Sequence, residues 1–147
     1  MKKAFFRTTG ILALAFLAAS SVVQAQEPLL VNIPFAFTAG KMTLPAGEYR
    51  VQNTADASSA LLIQRTDGSA ATYVMPHAVQ ANRPQVQSKL IFHRNGERYF
   101  LSQVWIEGHS RGRELSPSAK EKEQTLLARN EAPDQVTIVA RLIPSNH

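Results

Sequence analysis

From Leu29 to Phe37 apolar side chains fall on every second residue. Leu29, Val31, Ile33, Phe35 and Phe37 point one way; Leu30, Asn32, Pro34 and Ala36 point the other. A period of two predicts a strand with one strongly buried face. Pro34 lacks an N–H, so this strand is expected at a sheet edge, or paired on one side only at that point. Thr38–Lys41 reads as a turn. Leu44-Pro45-Ala46-Gly47 is a second turn, with Pro and Gly where a type I turn prefers them. In the strand Glu48–Gln52, Tyr49 and Val51 face inward and Glu48, Arg50 and Gln52 outward. Asn53–Ser59 is a polar loop and Ala60–Arg65 another strand. Asp67-Gly68 signals a tight hairpin into Ala70–Met75, with Tyr73 and Met75 on one face, and Pro76 ends it. His77–Ser88, with Pro84 and several Gln and Asn residues, reads as a connection that could hold a short extended piece.

The densest apolar pattern lies in Lys89–Glu107, KLIFHRNGERYFLSQVWIE. Asn95-Gly96 between two such runs predicts a hairpin with a two-residue turn, because both central residues need positive φ. That turn pairs Phe92 with Tyr99 and Ile91 with Phe100. It puts Leu90, Phe92, Tyr99, Leu101 and Trp105 on one face. The other face carries Ile91, Phe100, Val104 and Ile106, with His93, Arg98 and Ser102. Phe100 and Trp105 are therefore expected on opposite faces. With apolar residues on both faces, the hairpin is expected to be buried on one side and partly covered on the other.

Gly108–Arg113, GHSRGR, reads as a flexible basic loop. Ser116 as cap and Pro117 at the first helical position predict a helix to about Asn130, and Ser118 with Glu121 offers a competing capping box. Its apolar stripe, Ala119, Leu126 and Leu127, is thin, so it belongs on the surface. Pro133 punctuates, and Val136–Ile143 alternates as a last strand. About seven short strands joined by tight turns predict a mainly β domain, an antiparallel sandwich or small barrel with one surface helix near the C-terminus.

The first 25 residues stand apart from this pattern. Lys2, Lys3 and Arg7 precede the apolar run Ile11–Ala19, and Val23-Gln24-Ala25 follows. This is the layout of a secretory signal peptide cleaved after Ala25. Gln26–His147 is then a single domain, large enough to bury about two-thirds of its unfolded surface. Three positive charges leave with the leader, so the formal net charge of +5 falls to about +2, and nothing suggests nucleic-acid binding. The chain has no cysteine, which excludes disulfides and thiolate catalysis and leaves the core to hold the fold alone. No later segment is long and apolar enough to span a membrane as a helix. The expected location is outside the cytoplasm, in the periplasm or the medium.

Three stretches are familiar together: VNIPFAFTAGKMTLPAGEYRV, IFHRNGERYFLSQVW and GRELSPSAKEKE. They resemble a set of small, exported, functionally uncharacterised bacterial β-rich proteins, over most of the mature chain. The resemblance implies export and a β-rich fold, and carries no catalytic residues across. Leu-Pro-Ala-Gly-x-Tyr also occurs in unrelated β-sandwich modules, as a turn followed by an inward Tyr.

Candidate chemistry is sparse. His77, His93, His109 and His147 form no metal-ligand pair in sequence, although His93 and His109 could meet if the loop after Ile106 folds back. No metal and no cofactor is expected. There is no Gly-x-Ser-x-Gly elbow, and phosphate loops and dinucleotide fingerprints are absent. Glu107 and Glu114 flank the basic loop and are the carboxylate pair worth inspecting, with links to Arg111 or Arg113 as the ordinary reading. Arg94, Arg98, Arg111 and Arg113 could bind an anion. The first two lie at the hairpin turn, a strand length from the others, so two separate patches are expected. The candidate ligand-binding residues are Arg111, Arg113 and His109. The leading reading is an exported, non-catalytic binding or envelope-associated module whose ligand or envelope partner is not identified. A β-barrel carrier of a small apolar ligand and a small exported hydrolase are the alternatives.

Overall fold

The computed structural model describes residues 28–54, 59–127 and 133–144. The expected leader at residues 1–25, the middle of the predicted loop Asn53–Ser59 and the end of the predicted helix lie outside them. Twelve strands and one helix are present among the described residues. In chain order they are β1 (Leu29–Ile33), β2 (Phe37–Ala39), β3 (Met42–Leu44), β4 (Gly47–Asn53), β5 (Leu61–Arg65), β6 (Ala71–Val74), β7 (His77–Gln80), β8 (Lys89–Asn95), β9 (Arg98–Trp105), β10 (Arg111–Glu114), α1 (Ala119–Leu127), β11 (Asp134–Val139) and β12 (Arg141–Leu142).

The strands form two sheets. One is antiparallel, in the order β12-β1-β4-β5-β6; the other runs β11-β8-β9-β10-β7. In the second sheet β2 lies parallel to β9 at Thr38 and Phe100, and β3 pairs antiparallel with β2. Neither sheet closes on itself, so the arrangement is a sandwich and the closed-barrel form of the expectation falls. Its interior is filled from both sides: Leu29, Val31, Ile33, Tyr49, Val51, Leu61 and Ile63 from the first sheet meet Leu90, Phe92, Leu101 and Val104 from the second. Phe37 stands edge-on to both Tyr49 and Phe92, with ring centroids 5.2 and 5.5 Å apart.

More strands form than the seven or so expected, because long alternating runs break where the chain changes sheet. The expected single strand Leu29–Phe37 divides at Pro34, Phe35 and Ala36 into β1 and β2, which belong to different sheets. Pro34 removes a ladder donor and restricts the residue before it. Phe35 instead stacks on Tyr99 at 3.7 Å between centroids. Thr38 and Ala39 are strand rather than turn; the reversal is confined to Gly40-Lys41, with Gly40 at φ +60°. The Leu44–Gly47 turn is as expected, and it is tied by Tyr49, whose hydroxyl donates to the Pro45 carbonyl. A buried Tyr bonding back to the backbone just upstream fastens sandwich corners generally.

The hairpin forms with two corrections. The turn residues are Gly96 and Glu97, and Asn95 stays in the strand opposite Arg98. Gly96 takes φ +62° at the first turn position, where a single glycine supplies the positive φ that a two-residue hairpin loop needs. Second, the ladder passes from Phe92–Leu101 to Ile91–Gln103, leaving Ser102 as an extra residue in β9. This β-bulge reverses the alternation beyond it. Val104 therefore joins Leu90 on the core side, and Trp105 falls opposite Lys89 on the outer side. Phe100 and Trp105 share that outer face instead of lying on opposite faces, and both are buried there.

Candidate functional site

The short extended piece allowed for in the connection after Pro76 forms, and the segment expected to be a basic loop is a strand as well. His77–Gln80 forms edge strand β7, and Arg111–Glu114 forms β10, with Arg111 paired to Gln80, Gly112 to Val79, Arg113 to Ala78 and Val104, and Glu114 to His77 and Gln103. The turn joining β9 to β10 is fastened to the segment after β7: the Gly108 N–H donates to the Gln85 carbonyl at 2.9 Å and the Gln85 N–H to the His109 carbonyl at 3.0 Å. The basic segment Gly108–Arg113 is therefore a fixed turn and strand, not a flexible loop.

Gly112 has a packing role. A Cβ at this position would lie 2.6 Å from a carbon of the Trp105 indole, so the ring lies directly over the glycine backbone. The indole N–H donates to Gln103 Oε1 at 2.9 Å, the Gln103 amide donates to Glu114 Oε2 at 2.8 Å, and Glu114 Oε1 stands 3.6 Å from His77 Nε2. This row crosses β9, β10 and β7 on the outer face and fixes the side chains it links. Glu114 is thus engaged with His77 and Gln103 rather than with Arg111 or Arg113. Glu107 is exposed, and its N–H donates to Ser88 Oγ.

Of the three candidate ligand residues, Arg111 and Arg113 lie on β10, between β9 and the edge strand β7, and His109 lies in the turn before it. Arg113 donates to the Ser59 carbonyl at 3.4 Å. The Arg111 side chain is exposed and has no hydrogen-bonding or ionic partner among the described residues. His109 is exposed in the adjoining turn, and Ser110 accepts a bond from Gln80 Nε2 at 3.0 Å. An exposed guanidinium on a strand paired along its flank offers planar donors to a carboxylate, sulfate or phosphate without having to abandon a protein partner. Arg94 and Arg98 lie at the turn end of the β8–β9 hairpin, away from β10. Arg94 donates to the Gly96 carbonyl and lies 5.8 Å from the Tyr99 ring centroid. The two arginine pairs are separate, as their spacing along the strand implies.

One polar contact escaped the sequence reading. Ser118 caps α1, accepting from the Glu121 N–H at 3.1 Å. Glu121, which a full capping box would turn back to the cap, instead places Oε1 2.8 Å from His93 Nδ1. Glu121 is the buried residue of α1, so this contact seats the helix on the outer face of β8. His93 faces Phe100, not Arg98, and is held by Glu121 rather than left for a meeting with His109. The capping-box spacing was visible in sequence; its partner, 28 positions away, was not.

Among the described residues no three histidines or carboxylates gather as a metal-binding group, and no helix is long and apolar enough to cross a membrane. Comparison with protein-family models, curated proteins and solved structures finds no match to the chain.

Proposed function

We propose that this protein is an exported, non-catalytic binding module that associates with an anionic envelope component through the Arg111 end of β10. The carrying observation is that the Arg111 side chain is exposed and without a partner among the described residues, on a strand held by β7 and following the turn with the exposed His109. Binding groups commonly sit at the margin of a rigid scaffold of this kind. The export part rests on the basic, apolar and small-residue blocks of residues 1–25, and on the resemblance to small exported β-rich proteins. Arg113 supports the strand through Ser59, so it contributes less to ligand contact than Arg111.

The test compares wild type, Arg111→Ala and Arg111→Ala/Arg113→Ala for binding to an anionic glycan and to vesicles with and without anionic lipid, at low and physiological salt. A charged hydrogen bond is worth about 1.5–3 kcal/mol, so Arg111→Ala should weaken binding about tenfold or more. The two ligand arms separate glycan from headgroup. Equal binding by all three proteins removes this edge from consideration. N-terminal sequencing of the exported form should begin at Gln26, and a start at Met1 would overturn the export reading.

A further inference from the structure

We infer that the free edge of β6 is a self-association surface, through which a second copy of this chain pairs antiparallel about a two-fold axis at Tyr73. Among the described residues the first sheet ends in two edges, β12 and β6. The β12 edge is guarded, being two residues long, carrying Arg141 and followed closely by Pro144. Short, charged and proline-bearing edges resist strand addition. The β6 edge is longer, at four residues, and carries no charge before Pro76. Ala71-Thr72-Tyr73-Val74-Met75 is uncharged and free of proline, and its two large outward side chains, Tyr73 and Met75, are 66 % and 69 % exposed.

The direction of the backbone groups decides the register. The Arg65 N–H donates to the Ala70 carbonyl at 2.8 Å, and β5 and β6 continue from there as antiparallel pairs through Gln64–Ala71 to Leu61–Val74. In an antiparallel ladder alternate residues bond to the same neighbour. Ala70, Thr72 and Val74 are thus committed to β5, and Ala71 and Tyr73 turn their N–H and C=O groups to the open side. A two-fold axis at Tyr73 brings each Tyr73 N–H to the Tyr73 carbonyl of the other copy. It sets Ala71 against Met75 and Thr72 against Val74. Small therefore meets large on the outer face, no like charges meet, and the two Tyr73 rings become direct cross-strand neighbours, a favourable pairing. Tyr73 already lies opposite Leu62, so the pairing joins two Leu62–Tyr73 rows into one apolar stripe. Because the surface matches itself, the contact closes as a dimer rather than propagating.

The absence of cysteine makes the test direct. Opposed residues of a hydrogen-bonded antiparallel pair have Cα atoms about 5.5 Å apart, within disulfide range. Tyr73→Cys should therefore give an intermolecular disulfide under mild oxidation, at least tenfold faster than Asp67→Cys in the exposed turn before β6. Sedimentation equilibrium of wild type should show a monomer–dimer equilibrium. Tyr73→Lys, which sets two cations face to face, should raise the dissociation constant at least tenfold. Tyr73→Pro, which removes an N–H not used by β5, should do the same while circular dichroism keeps the β signature. The inference is overturned by a wild type that stays monomeric across the concentration range, which would leave the edge to a foreign strand. It is equally overturned by a dimer that survives both Tyr73→Lys and Tyr73→Pro, or by a Tyr73→Cys protein that cross-links no faster than Asp67→Cys.

Discussion

Gly112→Ala tests whether the Trp105 indole sets the fit between β9 and β10. The new Cβ would stand 2.6, 2.7 and 2.9 Å from three carbons of the ring. Carbon atoms rest comfortably at about 3.5–4.0 Å, so ring or strand must move by about 1 Å. The indole is 6 % exposed and its N–H is held by Gln103, so it has little freedom to yield. Overpacking of this kind costs about 1–3 kcal/mol. Against it stands the gain of about 0.5–1 kcal/mol when a glycine within a strand becomes alanine. The clash outweighs the gain, and the expected net loss is about 1–2 kcal/mol, several degrees in melting temperature for a domain of this size. Urea unfolding followed by far-UV circular dichroism measures it. A cycle with Trp105→Leu isolates the cause, since Gly112→Ala should be neutral or stabilising once the ring is gone. Because the chain has one tryptophan, the emission of Gly112→Ala should also shift as the indole is displaced. An unchanged or raised stability in Gly112→Ala, or an equal penalty with and without the indole, would refute the packing account.

Other outcomes follow from the same structure. Tyr49→Phe removes the hydroxyl bond to the Pro45 carbonyl and should lower stability by about 1 kcal/mol at neutral pH. Burial raises the Tyr49 phenol above its ordinary value of 10.0, so the folded state resists its ionisation; that contribution is intact below pH 10 and is lost as pH rises through the folded value, and melts from pH 8 to 11 should show the gap to Tyr49→Phe narrowing. Asp67 is held below its ordinary 3.8 by hydrogen bonds from the Ser69 hydroxyl and N–H, with Arg65 nearby; its contribution is present above that value and lost as pH falls through the folded value, so acid melts of wild type and Asp67→Asn should converge below pH 4. His93→Ala leaves the buried Glu121 carboxylate without its partner and should cost about 1–3 kcal/mol, with hydrogen exchange accelerating first in Ala119–Leu127; uniform acceleration across both sheets would refute the seating role.

Local signals carried much of the fold. The alternation of Leu29, Val31 and Ile33 and the inward Tyr49 and Val51 could be read from a few neighbouring residues; of the two helix starts on offer, Ser116 with Pro117 and Ser118 with Glu121, the structure takes the Ser118 cap. Features decided by tertiary contact could not. Leu101-Ser102-Gln103 alternates like any strand, and nothing in it announces the bulge that carries Trp105 to the outer face. Arg111-Gly112-Arg113 has the composition of a loop, yet Gly112 is required because an indole lies upon it. Of the candidate residues, Arg111 and Arg113 turn out to lie on a strand rather than in a loop, and Arg113 donates to the Ser59 carbonyl, far away in sequence.

The first strand of the sandwich is completed by the last. β1 lies between β4 and β12, with Leu29 opposite Leu142. During synthesis β4, β5 and β6 are available soon after β1, whereas its other neighbour, β12, follows every other described strand. Throughout that interval one flank of β1 is an open ladder on a strand whose Leu29, Val31 and Ile33 belong to the core. Pairings this distant in sequence are slow, because the closure entropy must be met before the contact repays it. The sheet is thus sealed only once β12 has been made, and a truncation after Ala140 strips the lateral partner from an interior strand rather than trimming a tail.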